Sequence, residues 1–330
     1  MSHKKISIDG TGMYLPKAVS SDSIETKYGI PKGWSKRYSG VKSRHHVTDE
    51  TNGLMGARAA EDALKSATVG LADIDMLISA SGSFDYPIPN QASMIKHHLT
   101  DGNSYDFPAI DIDVTCLSFV AAMDMASRIL DGITYSRILI VSSEIASKGL
   151  DSSNFETTTL FGDGAAAVVL SFNPDGNSTF IKGQFKNHSE GAFYSIIEGG
   201  GNVNHISEKP YNEGLYSFKM EGKKLLRQAK TIIPTFVDGF FSDIPFSLDE
   251  VDVIIPHQAS RAGLEMFKRM HPTSASKIID TLAETGNCIA ASIPISLHMA
   301  IQEGKLNKGD TCLLIGTGAG LSIGALLLEY

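Results

Sequence analysis

Residues 114–118 read Val-Thr-Cys-Leu-Ser and open a stretch rich in alanine and methionine, while residues 286–290 read Gly-Asn-Cys-Ile-Ala and open a second stretch of small residues. Both stretches are apolar on nearly every face, which is typical of helices buried between layers. An apolar run follows each of them, at 138–141 and at 312–315. The pair therefore indicates an internal duplication in which each copy has a buried helix followed by a strand.

A weaker repeat lies upstream of each copy. A helical pattern at 53–66 leads to the apolar run 74–82, and another at 222–236 leads to the run 251–258. Helices that alternate with apolar strands predict α/β layers with largely parallel sheets.

The length of 330 residues exceeds the usual size of a single domain. The duplication accounts for it as two similar α/β halves, 1–173 and 174–330, pressed around a shared central helical layer. The boundary is predicted in the Asn-, Pro- and Gly-containing stretch 173–177, directly after the apolar run 166–172.

Composition and charge narrow the class of protein. The formal net charge of −8 argues against general binding of nucleic acid, although a local basic patch can still dock an acidic partner. No apolar run approaches the roughly 18 residues needed to cross a bilayer, and the N-terminus lacks the apolar core of a signal peptide, so we expect a cytoplasmic protein with no membrane partner. The three cysteines are far apart and lack metal-ligand spacing, which favours neither disulfides nor a metal site.

Cys116 is the first candidate for chemistry. It follows an apolar run that predicts a strand at 109–114, and it precedes a helix. A sulfur at a helix N-terminus is favoured as a thiolate by the macrodipole and the free N–H groups. A lone cysteine is also often a small core residue, so placement alone leaves both interpretations open. Cys288 and Cys312 are interpreted as structural.

His257 and Asn287 are weaker candidates when each is considered alone. His257 directly follows the run 251–256, at the carboxyl end of a strand, where open α/β sheets bind their ligands. Asn287 precedes the second small-residue helix, where an N-cap is the simpler interpretation. The duplication places Cys116 and the Asn287-Cys288 pair at equivalent helix starts, so we expect the three residues to converge where the halves meet.

Two glycine-rich segments complete the pattern. Residues 161–165 predict a tight turn in which Asp163 accepts backbone N–H groups. Residues 315–320 follow a strand but lack the lysine of a phosphate loop and the context of a dinucleotide fingerprint. They favour a wall of backbone that presents N–H groups to an oxyanion.

These motifs together resemble the 3-oxoacyl-acyl-carrier-protein synthase III family of the thiolase superfamily, over essentially the whole chain. The resemblance implies a thiolase-like fold with two duplicated α/β halves in αβαβα layers, and it implies a homodimer. It also implies that the Cys-His-Asn site of the family corresponds to Cys116, His257 and Asn287. The motifs that carry it, in family order, are Asp113–Cys116, Phe161–Ala165, Pro256–Ala259, Gly286-Asn287 with Ala290–Pro294, and the C-terminal glycine segment.

The resemblance implies a decarboxylative Claisen condensation. Cys116 takes the acyl group from a thioester such as acyl-CoA, and His257 and Asn287 stabilise the enolate formed from a malonyl thioester such as malonyl-acyl-carrier protein. The backbone N–H groups of Cys116 and Ala319 are the implied oxyanion donors. The substrates are carried on CoA and on acyl carrier protein, and no permanently bound cofactor is expected.

The carrier-binding end departs from the family pattern. Trp34 matches a tryptophan that stacks on the adenine of CoA, but the arginine expected four positions later is Tyr38, for which Arg37 is the nearest substitute. Lys223 stands where the family commonly has a tunnel asparagine, and Arg261 lies beside the position of another expected arginine.

The acyl pocket and the docking surface also carry expectations. Ile88 and Thr317 replace aromatic residues and Ala319 replaces a glycine, which favours an acyl primer longer or bulkier than acetyl. Arg227 and Lys230 share one helical face with Lys223, so we expect them to dock the acidic carrier protein, the alternative being a solvated helix face.

Several other functions share this scaffold. A related acyltransferase would pass the acyl group to an oxygen, nitrogen or non-malonyl carbon nucleophile, and the sequence leaves this open. A non-catalytic partner subunit is disfavoured by the intact Cys-His-Asn set. A degradative thiolase needs a second cysteine near the glycine loop, whereas Cys312 precedes it in a strand. A chalcone-type synthase matches the motifs less well.

Overall fold

The computed structural model describes residues 4–209 and 211–330. Strands and helices alternate through most of this length, as the sequence pattern predicts. The strands are β1 Ile6–Tyr14, β2 Lys17–Ser20, β3 Ser43–His46, β4 Met76–Ser79, β5 Ala109–Asp111, β6 Arg137–Glu144, β7 Gly164–Phe172, β8 Thr179–Asn187, β9 Ser195–Ile196, β10 Lys219–Met220, β11 Val253–Pro256, β12 Thr311–Gly318 and β13 Ser322–Glu329. The helices are α1 Ser21–Tyr28, α2 Trp34–Tyr38, α3 Asn52–Ala67, α4 Gln91–His98, α5 Ser118–Ile129, α6 Phe155–Thr158, α7 Glu213–Tyr216, α8 Gly222–Phe241, α9 Arg261–Met270, α10 Leu282–Thr285 and α11 Ser292–Gln302.

Two sheets form the frame of the molecule. The first has the strand order β1-β7-β6-β4-β5, and the second has the order β11-β12-β13-β8. Only β4 with β5, β4 with β6, and β11 with β12 pair in parallel. The prediction of largely parallel sheets is therefore wrong. The reason is visible at 319–321, where three residues join β12 directly to β13, since so short a connection permits only antiparallel pairing.

The duplication is visible in the register of the two sheets. In the first, Met76 of β4 lies opposite Ile138 of β6; in the second, Val253 of β11 lies opposite Cys312 of β12. An isolated parallel bridge between Ile254 and Ile278 takes the place that β5 has in the first sheet. Each sheet thus contains the same arrangement of parallel strands beside an antiparallel pair.

The layers stack in the order α, β, α, β, α, as the resemblance implies. Helices α5 and α11 lie in the middle, where the largest buried cluster takes residues from both sheets and both helices, including Phe119, Ile140, Leu297 and Leu314. Helices α3 and α4 cover the other face of the first sheet, and α8 and α9 cover that of the second. Alternate residues of each strand point to opposite faces of the sheet. Because helices cover both faces of both sheets, both sets of side chains are apolar.

The connection from Phe172 to Thr179 links the two sheets. We propose it as the boundary between halves 1–173 and 174–330. Within the described part of the chain, no helix is both long enough and apolar enough to span a membrane.

Candidate active site

Two turns at the ends of α5 and α11 have the same internal hydrogen bonds. The Asp113 carboxylate accepts the N–H of Thr115 at 2.7 Å, and the Asn287 side-chain oxygen accepts the N–H of Ile289 at 2.8 Å. These side chains close each turn just before a short 3-10 segment that opens the helix. The duplication thus extends to the atoms around the candidate residues.

A second pair of bonds establishes the register between the two turns. Ser118 Oγ accepts the N–H of Val114 and Ser292 Oγ accepts that of Cys288, both at 2.9 Å. The third residue of each turn has a positive φ, 51° at Thr115 and 49° at Ile289.

Counting along this register, the equivalent of Cys116 is Ala290. The sequence expectation places Cys288 at the helix start equivalent to that of Cys116. The structure shifts this correspondence by two residues, because Cys288 corresponds to Val114, and Cys288 is fully buried.

Cys116 lies in the short 3-10 turn before α5 and is partly exposed. Two backbone N–H groups, that of Ala319 and that of Cys116 itself, face the sulfur closely enough to lower its pKa. Thr115 Oγ1 donates to the Ala319 carbonyl at 3.3 Å, and a Cβ added at Gly318 would lie 2.8 Å from that hydroxyl. The C-terminal glycine segment thus lies directly against the turn that carries Cys116.

The thiol of Cys116 is neutral at rest. Burial, with a smaller contribution from the Glu144 carboxylate, raises its pKa to about 12 against the opposing effect of the two backbone N–H groups. The sequence expectation that the helix start favours a thiolate is therefore outweighed, because loss of hydration costs a charged sulfur more than the N–H groups restore.

His257 follows the last residue of β11, and its N–H donates to the Ile315 carbonyl of β12 at 2.8 Å. Its side chain fits because residue 316 is glycine, where an added Cβ would lie 2.7 Å from His257 Cβ. His257 is only 5% exposed, and burial lowers its pKa to about 4, so the imidazole is neutral at pH 7. Its Nδ1 is buried and has no hydrogen-bond partner among the described residues.

Asn287 is held from both sides. Its N–H donates to the Leu160 carbonyl, and its own carbonyl accepts the N–H of Gly162. Its Nδ2 donates to the Ala259 carbonyl at 3.2 Å, which places Asn287 beside the segment that carries His257.

Residues 161–165 do not form the predicted tight turn, because Phe161 is bridged to Asn287 and the strand β7 begins at Gly164. Asp163 does accept backbone N–H groups, as predicted, but from distant segments. The carboxylate of Asp163 accepts N–H groups from Val47 and Ser147.

Gly82, after β4, brings the two turns together. A Cβ at this position would lie 3.3 Å from Thr115 Cα and 3.4 Å from Ile289 Cγ2. The turns that hold Cys116 and Asn287 therefore approach each other across one glycine. The structure thus brings Cys116, Asn287 and, through Ala259, His257 into one site between the halves.

Glu144 belongs to the same region and was not predicted. It ends β6, has no exposed surface, and accepts the N–H of Gly82 at 2.6 Å and the hydroxyl of Ser83 at 2.5 Å. The only signal in the sequence is an acidic residue at the end of an apolar strand.

Trp34 lies at the start of α2 with aromatic neighbours on two sides. Its ring centroid is 4.7 Å from that of Tyr38 and 6.0 Å from that of Phe155, which meets it edge-on. The Arg37 guanidinium lies over the Tyr38 ring. Arg261 donates to the carbonyls of Lys36 and Arg37 at the end of α2, so one of its N–H groups holds α2 against α9.

A surface groove of about 640 Å³ opens between α2, α8 and α9. Its lining combines apolar side chains, among them Tyr38 and Met266, with the acidic Glu265 and three cations, Lys230, Arg261 and Arg269. Lys230 and Arg261 thus come together. Lys223 and Arg227 are exposed elsewhere on α8 and do not line the groove.

The two predicted acyl-pocket residues do not meet within one chain. Ile88 is 88% exposed on the loop after β4. Thr317 is half-buried in β12, opposite Ile323 of β13 and two residues before Ala319. Cys288 and Cys312 are buried and free, and residues 4–209 and 211–330 contain no metal-binding cluster of three or more histidine, cysteine or acidic side chains.

Comparison with known proteins gives a consistent result. The family model described as 3-oxoacyl-[acyl-carrier-protein (ACP)] synthase III matches residues 110–189, and the model of its C terminal part matches 242–330. The chain is 30% identical to the beta-ketoacyl-[acyl-carrier-protein] synthase III of Neisseria gonorrhoeae over 100% of both chains, and 31% identical to that of Rickettsia felis over 98% of this chain and 99% of the relative. The crystal structure of 3-oxoacyl-[acyl-carrier-protein] synthase III from Aquifex aeolicus superimposes over 100% of both chains with a TM-score of 0.88 at 27% identity.

Proposed function

Because this chain belongs to the 3-oxoacyl-[acyl-carrier-protein] synthase III family of acyl-transferring condensing enzymes, we propose that Cys116, His257 and Asn287 are its catalytic residues. The observation that carries this assignment is the position of the Cys116 sulfur, which faces the backbone N–H groups of Cys116 and Ala319 where the glycine segment lies against the Cys116 turn. An acyl carbonyl attached to that sulfur lies within reach of the same two donors.

In the loading step, the sulfur of Cys116 attacks the carbonyl carbon of an acyl thioester. A new C–S bond forms, the old one breaks, and the carrier leaves as a thiol. The proton of the neutral Cys116 thiol passes to His257, whose imidazole is neutral because it is buried, and from there to the departing sulfur. The N–H groups of Cys116 and Ala319 hold the oxyanion, each contributing about 2.7–4 kcal/mol.

In the condensation step, His257 and one N–H of Asn287 Nδ2 donate to the thioester carbonyl of a malonyl group. The bond to the carboxylate breaks, carbon dioxide leaves, and its electron pair forms an enolate held by these donors. The enolate carbon attacks the acyl carbon on Cys116, and collapse of the tetrahedral adduct releases a 3-oxoacyl thioester and the Cys116 sulfur as a thiolate. The thiolate takes up one proton from solvent, which restores the neutral thiol.

The acyl primer is proposed to be longer or bulkier than acetyl. The support is that the side chains of Thr317 and Ile88 are smaller than the aromatic ones that the family resemblance places at 317 and 88. Competition between acetyl-CoA and medium-chain acyl-CoAs for Cys116 tests this, since preferential loading of acetyl contradicts it.

The carrier of the primer is proposed to be CoA, with Trp34, Arg37, Lys223 and Arg261 at its seat. Trp34 already has Tyr38 and Phe155 as neighbours, so the nucleotide has to stack on the outer side of this aromatic group. Loading from acyl-CoA and from acyl-pantetheine, with Trp34→Ala in parallel, measures the contribution of the nucleotide. Equal losses with both donors would exclude a nucleotide contact at Trp34.

The malonyl group is proposed to arrive on acyl carrier protein, docked at the basic groove and at Arg227 and Lys230. The groove combines cations with methionine side chains, which suits an acidic, partly apolar helix of the carrier. Charge reversal at Arg227 and Lys230 is expected to raise the Michaelis constant for the malonyl carrier protein while the loading rate from acyl-CoA stays the same. An unchanged constant would refute the docking site.

We further propose a homodimer in the cytoplasm. Strand β5 ends its sheet in the described part of the chain and exposes Ile110, and the adjacent loop exposes Phe84, Tyr86 and Ile88. Pairing of two copies along β5 covers this surface and brings Ile88 to the acyl pocket of the partner. Three free cysteines suit a reducing compartment. Light scattering of the chain with Ile88→Glu and Ile110→Glu is expected to show a monomer.

One experiment tests the function as a whole. Intact-mass measurement after incubation with a panel of acyl-CoAs is expected to show one acyl group per chain, absent in Cys116→Ala. Adding malonyl carrier protein is then expected to release carbon dioxide and a 3-oxoacyl product of fatty-acid or related secondary-metabolite synthesis. Acylation without carbon dioxide release on malonyl addition, but with transfer to an oxygen or nitrogen nucleophile, would identify the related acyltransferase instead.

A further inference from the structure

Glu144 is an acid buried in the centre of the site and has no role in the proposed reaction. Its carboxylate has no exposed surface and uses both oxygens, one for the N–H of Gly82 and the other for the hydroxyl of Ser83. The backbone N–H of Ala290 also faces this carboxylate, closely enough to lower its pKa. Burying a carboxylate is costly, so an acid kept here with a full set of donors needs an explanation.

The three groups that face Glu144 come from two parts of the fold. Gly82 and Ser83 start the loop after β4 in the first half, Ala290 opens α11 in the second half, and Glu144 itself ends β6. A single carboxylate therefore ties both halves together at the level of the active site.

The bonded groups are also the ones next to the catalytic turns. Gly82 lies between Thr115 and Ile289, and a Cβ added at this glycine would already touch both residues. The N–H of Ile289, which precedes Ala290, is bonded to the Asn287 side chain. Movement of Gly82 or Ala290 thus changes the distance between Cys116 and Asn287.

We propose that Glu144 is a positioning residue that fixes the separation of the Cys116 turn from the Asn287 turn by joining Gly82 and Ser83 to Ala290. This assignment rests on the proposed roles of Cys116 and Asn287. Glu144 touches neither reacting carbon. It acts through the backbone of the two turns, whose spacing decides whether the enolate meets the acyl carbon.

The charge of Glu144 gives the experiment a second readout. Asp113, at the start of the turn, acts on both Glu144 and Cys116, and Glu144 acts on Cys116 and on Cys288 of the second turn. Burial raises the pKa of Glu144 to about 8, so the carboxylate is ionised above that pH. In that range its negative charge disfavours the Cys116 thiolate, and removing the charge makes the thiolate easier to form.

Two variants separate the effect of the length of the residue 144 side chain from the effect of its charge. Glu144→Gln keeps the length but removes the charge, so between about pH 8 and pH 10 iodoacetamide is expected to alkylate Cys116 faster than in the parent. Glu144→Asp keeps the charge but is one methylene too short to bridge Gly82 and Ala290, so alkylation is expected at the parental rate. In both variants the kcat of condensation is expected to fall by roughly tenfold to hundredfold with little change in KM, because the turns are no longer held at the reacting distance.

Asp163→Asn is the matched control. Asp163 is also a fully buried acid with several donors, but it does not contribute to the Cys116 thiol pKa. This variant is expected to lose stability while the alkylation rate of Cys116 stays at the parental value.

Parental kcat in both Glu144→Asp and Glu144→Gln overturns the proposal, and so does equal acceleration of alkylation in Asp163→Asn. If Glu144→Gln does not fold, the kcat of Glu144→Asp alone decides. A parent chain that no acyl-CoA acylates refutes the proposed function, whereas the alkylation rates still report whether Glu144 acts on Cys116.

Discussion

The turn at 113–118 and the turn at 287–292 share a frame but carry different chemistry. In each turn, a side-chain oxygen accepts a hydrogen bond from the N–H of the third residue, and a serine hydroxyl accepts one from the N–H of the second residue. At the fourth position one has Cys116 and the other Ala290. In the proposed function the first turn supplies the nucleophile, and the second supplies a donor, Asn287, at the position where the first has Asp113.

The strand ends before the turns differ in the same way. The N–H of Ala80 donates to Val141 of β6, and the N–H of His257 donates to Ile315 of β12, so Ala80 is the counterpart of His257. Each half therefore keeps only part of a site. One composite site thus arises from two copies, because each copy lacks the functional residues that the other copy supplies.

The largest effect is expected from the pair Cys116 and Cys288. Cys116→Ala is expected to lower condensation by roughly 10⁴-fold or more, because the acyl-enzyme cannot form. Cys288→Ala, in a buried position of the second turn, is expected to keep activity within about twofold. Intact mass after acyl-CoA treatment and the rate of carbon dioxide release measure both, and a large loss in Cys288→Ala would contradict the assignment of Cys116 as the sole nucleophile.

The next effect distinguishes Asn287 from Asp113. Asn287→Asp keeps an oxygen for the Ile289 N–H but removes the Nδ2 donor, so condensation is expected to fall by about 10²–10³-fold while acylation of Cys116 continues. Asp113→Asn keeps the bond to Thr115 and is expected to change the rate by less than about threefold. Rates of acyl loading and of carbon dioxide release are compared in each variant. If the two variants lose condensation equally, the second turn has no special role.

A smaller effect is expected where His257 needs space. Gly316 is the counterpart of Ser142, which donates its hydroxyl to the carbonyl of Ala80. Gly316→Ser brings the first copy's side chain into the second, where its Cβ meets that of His257 at 2.7 Å. We expect a loss of about 1–3 kcal/mol in the free energy of unfolding and reduced condensation.

Denaturant titration and kcat are the measurements for this variant, with Ser142→Ala as the mild control. Parental stability in Gly316→Ser would mean that the strand ends are interchangeable.

The smallest expected effect is the loss of folding stability at acidic pH. Burial lowers the pKa of His257 to about 4 in the folded chain, against 6.5 for a free histidine. Below pH 6.5 the unfolded chain therefore binds a proton that the folded chain refuses, so stability is lost as the pH falls towards 4.

Between pH 7 and pH 6 this amounts to about 0.7 kcal/mol. His257→Ala, which copies the first half at Ala80, is expected to remove that part of the pH dependence in denaturant titrations. Parallel pH profiles for parent and variant would show that His257 is hydrated.

Much of this arrangement could be predicted from the sequence because it is local. The duplicated helix starts, the strand end at His257 and the glycine segment at Ala319 each have a short pattern. Strand direction was predicted less well, since apolar runs in β7 and β13 look the same whether they pair in parallel or antiparallel.

Contacts between distant segments were not predictable. Glu144 bonds Gly82, which is 62 residues away, and Phe155 reaches Trp34 from α6. Arg261 donates hydrogen bonds to backbone carbonyls of α2, and no local sequence pattern predicts these bonds. The same limit applies to the exact register of the second turn, where Ala290 rather than Cys288 matches Cys116, because the bonds of Ser118 and Ser292 decide it.

The central layer also bears on how the chain is made. Helix α5 is buried by residues of both sheets, and the second of these comes from residues that leave the ribosome later. During translation the first half therefore carries an uncovered apolar helix and lacks the Ala319 N–H beside Cys116. The surroundings of Cys116 are therefore complete only when the last strands have been added.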